Sequence, residues 1–406
     1  MFRVCSRPRV PSFTSIRRGA GRIAPTLTLL VSGLSISLHA QTGDRSTLVT
    51  RLQQRLDSAH RAGCFAGAQL AVALPNGSVI ALATGFADTA KKEAMTTRHL
   101  LLQGSVGKTY ASAVALQLIH EGKIGLDDLI SKYLGDEPWF NRLPNAQSIT
   151  VRQLMNHTSG LVRYEFNEKF TADLTAAGDR VWKPQELVAY IFDTAAPFAA
   201  GQGWDYSDTN YIVLGMIMED VARKSYYDLA RERVLRPAGL TATVPSDSRV
   251  IAGLSNGYAG PNNPFGGSDA MRVDGRMVIN PQFEWTGGGM ASTASDLARW
   301  GKRLYEGGAF DSSMLPKLLD GVPARLGPNA KYGLGVIIRE TPLGTVYGHS
   351  GFFPGYQAEM MYLPSQKFAV AFQVNSSVPG TLGPRVSPAR FALDIVGIVA
   401  EELARR

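Results

Sequence analysis

Residues 108–120 read Lys-Thr-Tyr-Ala-Ser-Ala-Val-Ala-Leu-Gln-Leu-Ile-His, an almost unbroken apolar run with no polar face. A helix that is apolar all round has to be enclosed by other structure. Glu121-Gly122 follows it and supplies a glycine C-cap. With 406 residues, 45% of them hydrophobic, the chain is long enough to build that enclosure. A prior of about 150 residues per domain gives two or three structural units. A disordered or fibrous chain is excluded, and the 42 Gly and 22 Pro show no collagen-like period. Only 19% of residues are charged, which argues against a coiled coil or a polyelectrolyte binder.

The net charge of +8 is local. Arg3, Arg7, Arg9, Arg17, Arg18 and Arg22 are the only Lys, Arg, Asp or Glu among the first 40 residues, and setting these six aside leaves +2 for the rest. A nucleic-acid partner therefore loses its main support. After the arginines comes an apolar run over 23–38, softened by Thr26, Thr28, Ser32, Ser35 and Ser37, then Ala40 and the polar Gln41-Thr42-Gly43-Asp44. This is the order of a secretory signal peptide. The expected division is a leader over 1–40 and a mature domain over 41–406, periplasmic or secreted. The run is short for a spanning helix, which needs about 20 apolar residues. Membrane contact would come only through an uncleaved leader, an alternative kept open by Leu38 where a small residue is preferred. Cys5 belongs to the leader, so Cys64 is the single mature cysteine and no internal disulfide is expected. Cys64 is read as a structural thiol.

Leu48, Leu52 and Leu56 predict an amphipathic helix over 46–62. Residues 69–74 and 78–84 read as strands around Asn76-Gly77, the strongest short hairpin signal. Three more strands are expected over 343–348, 357–363 and 368–375, then a closing helix over 388–405 with Phe391, Ile395, Val396, Ile398 and Val399 inward. Between about 125 and 300 short helical patterns alternate with Gly/Pro/Asn-rich loops. The fold class is therefore α+β in two lobes: an antiparallel sheet from both chain ends, flanked by helices, with a mainly helical lobe inserted and a cleft at the junction.

The buried helix begins with Gly104-Ser105-Val106-Gly107-Lys108, which holds the one Ser-x-x-Lys of the chain. At i and i+3 the two side chains share a helix face. The hydroxyl feels the positive helix end, and burial disfavours the charged form of the lysine. A neutral amine beside a hydroxyl can act as its general base, which is the activated-nucleophile arrangement without a histidine. The bland alternative is a capping serine and a snorkelling lysine. Against it, a lysine entering an apolar helix is costly without a task or a partner.

Five further blocks follow in order: Glu121-Gly122-Lys123-Ile124-Gly125-Leu126-Asp127-Asp128; residues 149–161, ending Asn156-His157-Thr158-Ser159-Gly160-Leu161; Tyr206-Ser207-Asp208-Thr209-Asn210-Tyr211; Gly287-Gly288-Gly289-Met290-Ala291-Ser292-Thr293; and Gly348-His349-Ser350-Gly351-Phe352. With 101–108 they resemble the serine β-lactamase-like family of penicillin-recognising hydrolases: class C β-lactamases, D-Ala-D-Ala carboxypeptidases, D-aminopeptidases and related esterases. The resemblance spans about residue 50 to 400. It implies Ser105 as acylated nucleophile, Lys108 as its base partner and Tyr206 as proton shuttle. It implies the backbone N–H groups of Ser105 and Phe352 as oxyanion hole. His349, Ser350 and Gly351 would form the substrate-lining strand, with Asp208 beside them.

Two departures matter. His349 stands where the family often has the lysine of Lys-Thr-Gly. With an ordinary pKa near 6.5 it is largely neutral at pH 7. If its protonated form holds a substrate carboxylate, kcat/KM for acidic substrates should fall as pH rises past about 6.5. Tyr206-Ser207-Asp208 replaces Tyr-x-Asn, and an ionised Asp208 accepts hydrogen bonds only and favours the ammonium of Lys108. Both changes point away from an efficient β-lactamase, towards an esterase or peptidase of D-peptides or small carboxyl esters. The alternatives are a non-hydrolytic penicillin- or peptide-binding protein on the same fold, or a weak β-lactamase. His157 is read as structural, and Thr293 with Asp296 as a helix N-cap. Gly287-Gly288-Gly289 is read as a site of tight backbone approach. Ser350, in a near miss for Gly-x-Ser-x-Gly, is a minor rival nucleophile. With no HExxH and no i,i+4 histidine pair, no metal site and no cofactor are expected. The partner is a small-molecule or peptide substrate, and the sequence does not fix the oligomeric state.

Overall fold

Both ends of the chain build one antiparallel sheet. The computed structural model describes residues 36–261, 263, 265, 269–383 and 386–405, with the side chains of 36–45 outside that description. The elements that matter are α1 (Ile36–Ala62), β1 (Gly67–Ala73), β2 (Val79–Asp88), α2 (Lys108–His120), α3 (Thr209–Ala222), α4 (Ala294–Tyr305), β3 (Ile337–Thr341), β4 (Gly344–Phe353), β5 (Tyr356–Leu363), β6 (Phe368–Val374) and α5 (Pro388–Ala404). The chain divides within α1 into two units, one ending at Arg51 and the other, which holds the sheet and the cavity, beginning at Leu52. The expected leader lies outside the described residues except at 36–40, where the backbone of α1 begins. Among the described residues no helix is long and apolar enough to cross a membrane.

Among the described residues the sheet has nine strands, in the order Glu93–Ala94, β2, β1, β6, β5, β4, β3, Lys331–Tyr332, Val322–Pro323. The β1–β2 hairpin forms where Asn76-Gly77 predicts it. Ala73 pairs with Val79, and Gly77 takes a φ of 83°, open to glycine at no steric cost. β1 and β6 are buried along their whole length, which their Ala/Val/Phe-rich sequences allow. The strand expected to end at 348 runs on to Phe353, and β3 was not expected, since Ile-Ile-Arg-Glu-Thr is too short to show a period.

Side chains alternate across a sheet, so Ala369 and Phe372 of β6 face opposite ways. On the first side lies α4, whose Gly301 comes so close that a Cβ there would sit 2.9 Å from Met360 of β5 and 3.5 Å from Ala369. On the second lies α5, with the Phe391 and Phe372 rings 4.6 Å apart. Helix α1 joins α5 through Arg55 and Asp394 at 2.6 Å, while Thr84 of β2 donates to its Asp57 at 2.8 Å.

Between Ala94 and Val322 the chain leaves the sheet for a mainly helical region, with small strands at Leu101–Leu102, Val244–Pro245 and Met290–Ser292 that pair together. Helix α2 sits at its centre. It is buried from Lys108 to Leu116, and Tyr110 stacks on Trp300 of α4 at 4.8 Å. Apolar residues on every side leave it no face for solvent, as the sequence requires. Strand β4 meets the turn before α2 with no room for side chains: a Cβ on Gly351 would lie 1.8 Å from the Gln103 carbonyl oxygen. That approach sets Ser105 beside the strand.

Candidate active site

Ser105 lies in the 3-10 turn Gly104–Gly107, which leads into α2, and Lys108 is the first residue of that helix. The serine is half-buried and the lysine fully buried. Lys108 Nζ donates to Ser105 Oγ at 3.0 Å, to the Gly287 carbonyl at 2.6 Å and to Asp208 Oδ1. An ammonium has three hydrogens, and each has an acceptor. Burial alone would pull the Lys108 pKa down, but the Asp208 carboxylate, with help from Tyr206, more than offsets it and holds the pKa above the usual lysine range. The sequence reading of Lys108 as a neutral base is corrected accordingly: it stands as an ammonium that donates to the serine.

Asp208 precedes α3, where the helix dipole favours an anion. Its other oxygen accepts from Arg163 Nη2 at 2.7 Å. Burial opposes ionisation of Asp208, yet Lys108 and Arg163 together hold its pKa well below the usual carboxylate range. Tyr206 presents its ring 4.9 Å from Lys108 Nζ. Its hydroxyl is buried and makes no hydrogen bond. Burial raises the phenol's pKa, while Lys108 and Ser105 are near enough to favour its ionised form. His157 backs this residue, with rings 4.3 Å apart; its Nδ1 lies 3.0 Å from the Asn210 amide nitrogen, and its Nε2 is buried without a hydrogen bond.

His349 is 1% exposed. Its Nδ1 lies 2.7 Å from the Ser350 carbonyl, which can only accept, so Nδ1 carries the proton. Nε2, 2.8 Å from the Tyr332 hydroxyl, then accepts from it. Burial, reinforced by Lys108, pushes the pKa down to about 3. His349 lines the cavity as a neutral ring with both nitrogens engaged, and the expectation that its protonated form holds a carboxylate near neutral pH is corrected. The pH dependence changes with it: kcat/KM profiles for an acidic and a neutral substrate should run parallel between pH 5.5 and 7.5 (about one unit either side of the ordinary histidine value). Steady-state rates on a matched pair of substrates check this, and a selective fall for the acidic one would restore the imidazolium.

Ser350 Oγ accepts from Arg339 Nη2 at 2.9 Å and donates to Glu359 Oε2 at 2.9 Å. Its hydroxyl is thus held between two side chains of neighbouring strands. Phe352 places its backbone against Gly104, where a Cβ would lie 2.3 Å from the Phe352 carbonyl oxygen and 2.6 Å from its nitrogen. Only glycine tolerates this approach, at a φ of 50°.

A cavity of about 740 Å³ collects Ser105, Tyr206, Asp208, His349, Ser350, Gly351 and Phe352, with Lys108 reaching Ser105 from the buried side. Sequence reasoning missed Arg163, Glu284, Arg339 and the Gly287 carbonyl. Arg163 follows the Ser159-Gly160-Leu161 block closely and Glu284 precedes the triple glycine, so proximity to those blocks is the signal each offered. Cys64, exposed beyond α1, lies outside the cavity. Among the described residues no group of three or more His, Cys, Asp or Glu could hold a metal ion.

Residues 50–394 match the family model described as Beta-lactamase. Penicillin-binding protein 4* of Bacillus subtilis is 25% identical over 300 residues, 70% of this chain and 62% of that one. A D-aminopeptidase of Brucella anthropi is 25% identical over 312 residues, 76% of this chain and 56% of the relative. The chain thus spans about three fifths of the length of these curated relatives. The solved structure of D-amino acid amidase from Ochrobactrum anthropi SV3, complexed with D-phenylalanine, superposes with a TM-score of 0.73 at 25% identity, covering 89% of this chain and 100% of that one.

Proposed function

The chain belongs to the beta-lactamase family, and from that membership we propose that it is an exported serine hydrolase that cleaves an amide beside a D-amino acid, through an acyl-enzyme on Ser105. The observation that carries this reading is the contact between the buried Lys108 ammonium and Ser105 Oγ, next to a buried Tyr206 hydroxyl that has no hydrogen-bond partner. The similarity to a D-aminopeptidase and a D-amino acid amidase supports the choice of amide.

Each step follows from the donors available. The Lys108 ammonium favours the developing charge on Ser105 Oγ as that oxygen bonds to the substrate carbonyl carbon. The serine proton passes to the Tyr206 oxygen while the Tyr206 proton passes to the leaving nitrogen, so no net charge has to be stored. The carbonyl oxygen becomes an oxyanion held by the N–H groups of Ser105 and Phe352. The C–N bond breaks, the amine leaves, and water later releases the acid and restores Ser105. A β-lactam or peptide carboxylate is poorly served, because neutral His349 stands where a permanent cation would bind it.

Ammonia release from D- and L-phenylalanine amide tests the reading. Hydrolysis of the D-isomer should be faster by about tenfold or more, the scale that a shaped pocket gives. Equal rates, or turnover of an ester with no amide cleaved, would overturn the D-amide assignment.

A further inference from the structure

The triple glycine brings to the nucleophile a group that the steps above do not use. A Cβ on Gly288 would sit 2.9 Å from the Gly104 carbonyl and 3.0 Å from Glu284 Oε1. The Glu284 carboxyl and the carbonyl of Gly104, the residue before Ser105, thus flank the space that a side chain on Gly288 would fill. Glu284 lines the same cavity, and its Oε2 is buried without a hydrogen bond.

The backbone is bent to put it there. Trp285, the next residue, has φ 37° and ψ −116°, a conformation a bulky side chain rarely adopts. Its ring is locked in place: a Cβ on Gly215 of α3 would be 2.6 Å from it, and Tyr226 stands edge-on at 6.0 Å. Strain of this kind persists only where packing over-determines it, and it gathers at functional sites. The ionisable groups facing Glu284 are Asp208 and Lys108, with Tyr164 from the turn Tyr164–Phe166 and Tyr227 from the helix Tyr226–Ala230. Burial, then Asp208, pushes its pKa up to about 8, with Lys108 opposing. A buried carboxyl poised to exchange a proton near neutrality suits general acid–base work.

We propose that Glu284 is the catalytic base of deacylation, holding the hydrolytic water against the acyl group on Ser105. The Glu284 carboxylate takes one proton from water as the water oxygen bonds to the acyl carbonyl carbon. The bond from that carbon to Ser105 Oγ then breaks, and Glu284 returns the proton to Oγ. The products are the carboxylic acid and free serine, with Glu284 again a carboxylate. The assignment rests on the reading that Ser105 is acylated.

Pre-steady-state hydrolysis of p-nitrophenyl acetate by wild type and Glu284→Gln tests it. Glutamine has the shape of the protonated acid but cannot take a proton. The variant should release its first equivalent of p-nitrophenol at a rate within about threefold of wild type, then deacylate about 100-fold more slowly, the scale of a lost general base. Peptide mass spectrometry should find the acetyl adduct accumulated on Ser105. Unchanged deacylation, or equal losses in both phases, would overturn the role, as would a defect limited to substrates with a free ammonium, which would make Glu284 an anchor. Wild type alone gives a second reading should the variant fold poorly: its deacylation rate should rise with pH through about 8 and level off, and a flat profile contradicts the proposal. If wild type forms no Ser105 adduct, the acyl-enzyme reading itself fails and this inference falls with it; an adduct with normal Glu284→Gln deacylation sinks the inference alone.

Discussion

Ser105→Ala should lose turnover by a factor on the order of 10⁵, the scale seen when a nucleophile that acts as a unit with its partners is removed. The protein should stay folded. Ser105 is only half-buried, and its Oγ accepts one of the three hydrogen bonds of Lys108. The other two, to Asp208 and Gly287, hold the ammonium in place without it. The hydrogen that is freed faces the substrate cavity, where water can take it. Loss of that one bond should cost about 1–2 kcal/mol at most. Assaying purified wild type and variant on the same amide, with thermal melts in parallel, separates lost chemistry from lost fold. Residual turnover within about tenfold of wild type (a barrier change near 1.4 kcal/mol) would mean that another group is acylated.

Lys108→Ala should lose about 10³–10⁴ in rate, the scale of a general acid–base or charge-assisted contribution. Unlike the serine variant it should also lose stability. It leaves the buried Asp208 with Arg163 as its remaining ion-pair partner among the described residues, and takes from the Gly287 carbonyl the Lys108 donor. Breaking a buried ion pair from one side costs about 3–5 kcal/mol. A companion, Asp208→Asn, decides which protonation state matters. In wild type the carboxylate keeps Lys108 an ammonium across the working range. Without it, burial dominates and the Lys108 pKa falls. If the ammonium is the active form, kcat/KM of Asp208→Asn should drop as pH rises through that lowered value, while wild type stays flat. A rise with pH in the variant would restore Lys108 as a neutral base, the role first expected of it.

The parts of the site that the sequence discloses are those held together by short-range geometry. Ser105 and Lys108 are three residues apart at a helix start, so their contact follows from helical spacing. The β1–β2 hairpin follows from Asn76-Gly77, and the enclosure of α2 from its apolar faces. The states of the groups were not legible, because they depend on what folds against them. His349 is neutral because burial strips its water and the Ser350 carbonyl and Tyr332 hydroxyl fix its tautomer. Lys108 is charged because Asp208, 100 residues further on, arrives at its Nζ. Arg163, Arg339 and Glu284 belong to no motif, and each enters the cavity only through long-range packing. The strained turn at Trp285 that delivers Glu284 leaves no trace in local propensity.

The reactivity of one hydroxyl, that of Ser105, decides between a hydrolase and a binding protein. The most direct measurement treats the folded protein with a fluorophosphonate probe and maps the adduct by peptide mass spectrometry. The geometry predicts a single adduct on Ser105, absent from Ser105→Ala and strongly reduced in Lys108→Ala. An unmodified Ser105 in folded protein would contradict it, and an adduct on Ser350 would place the chemistry on the other serine.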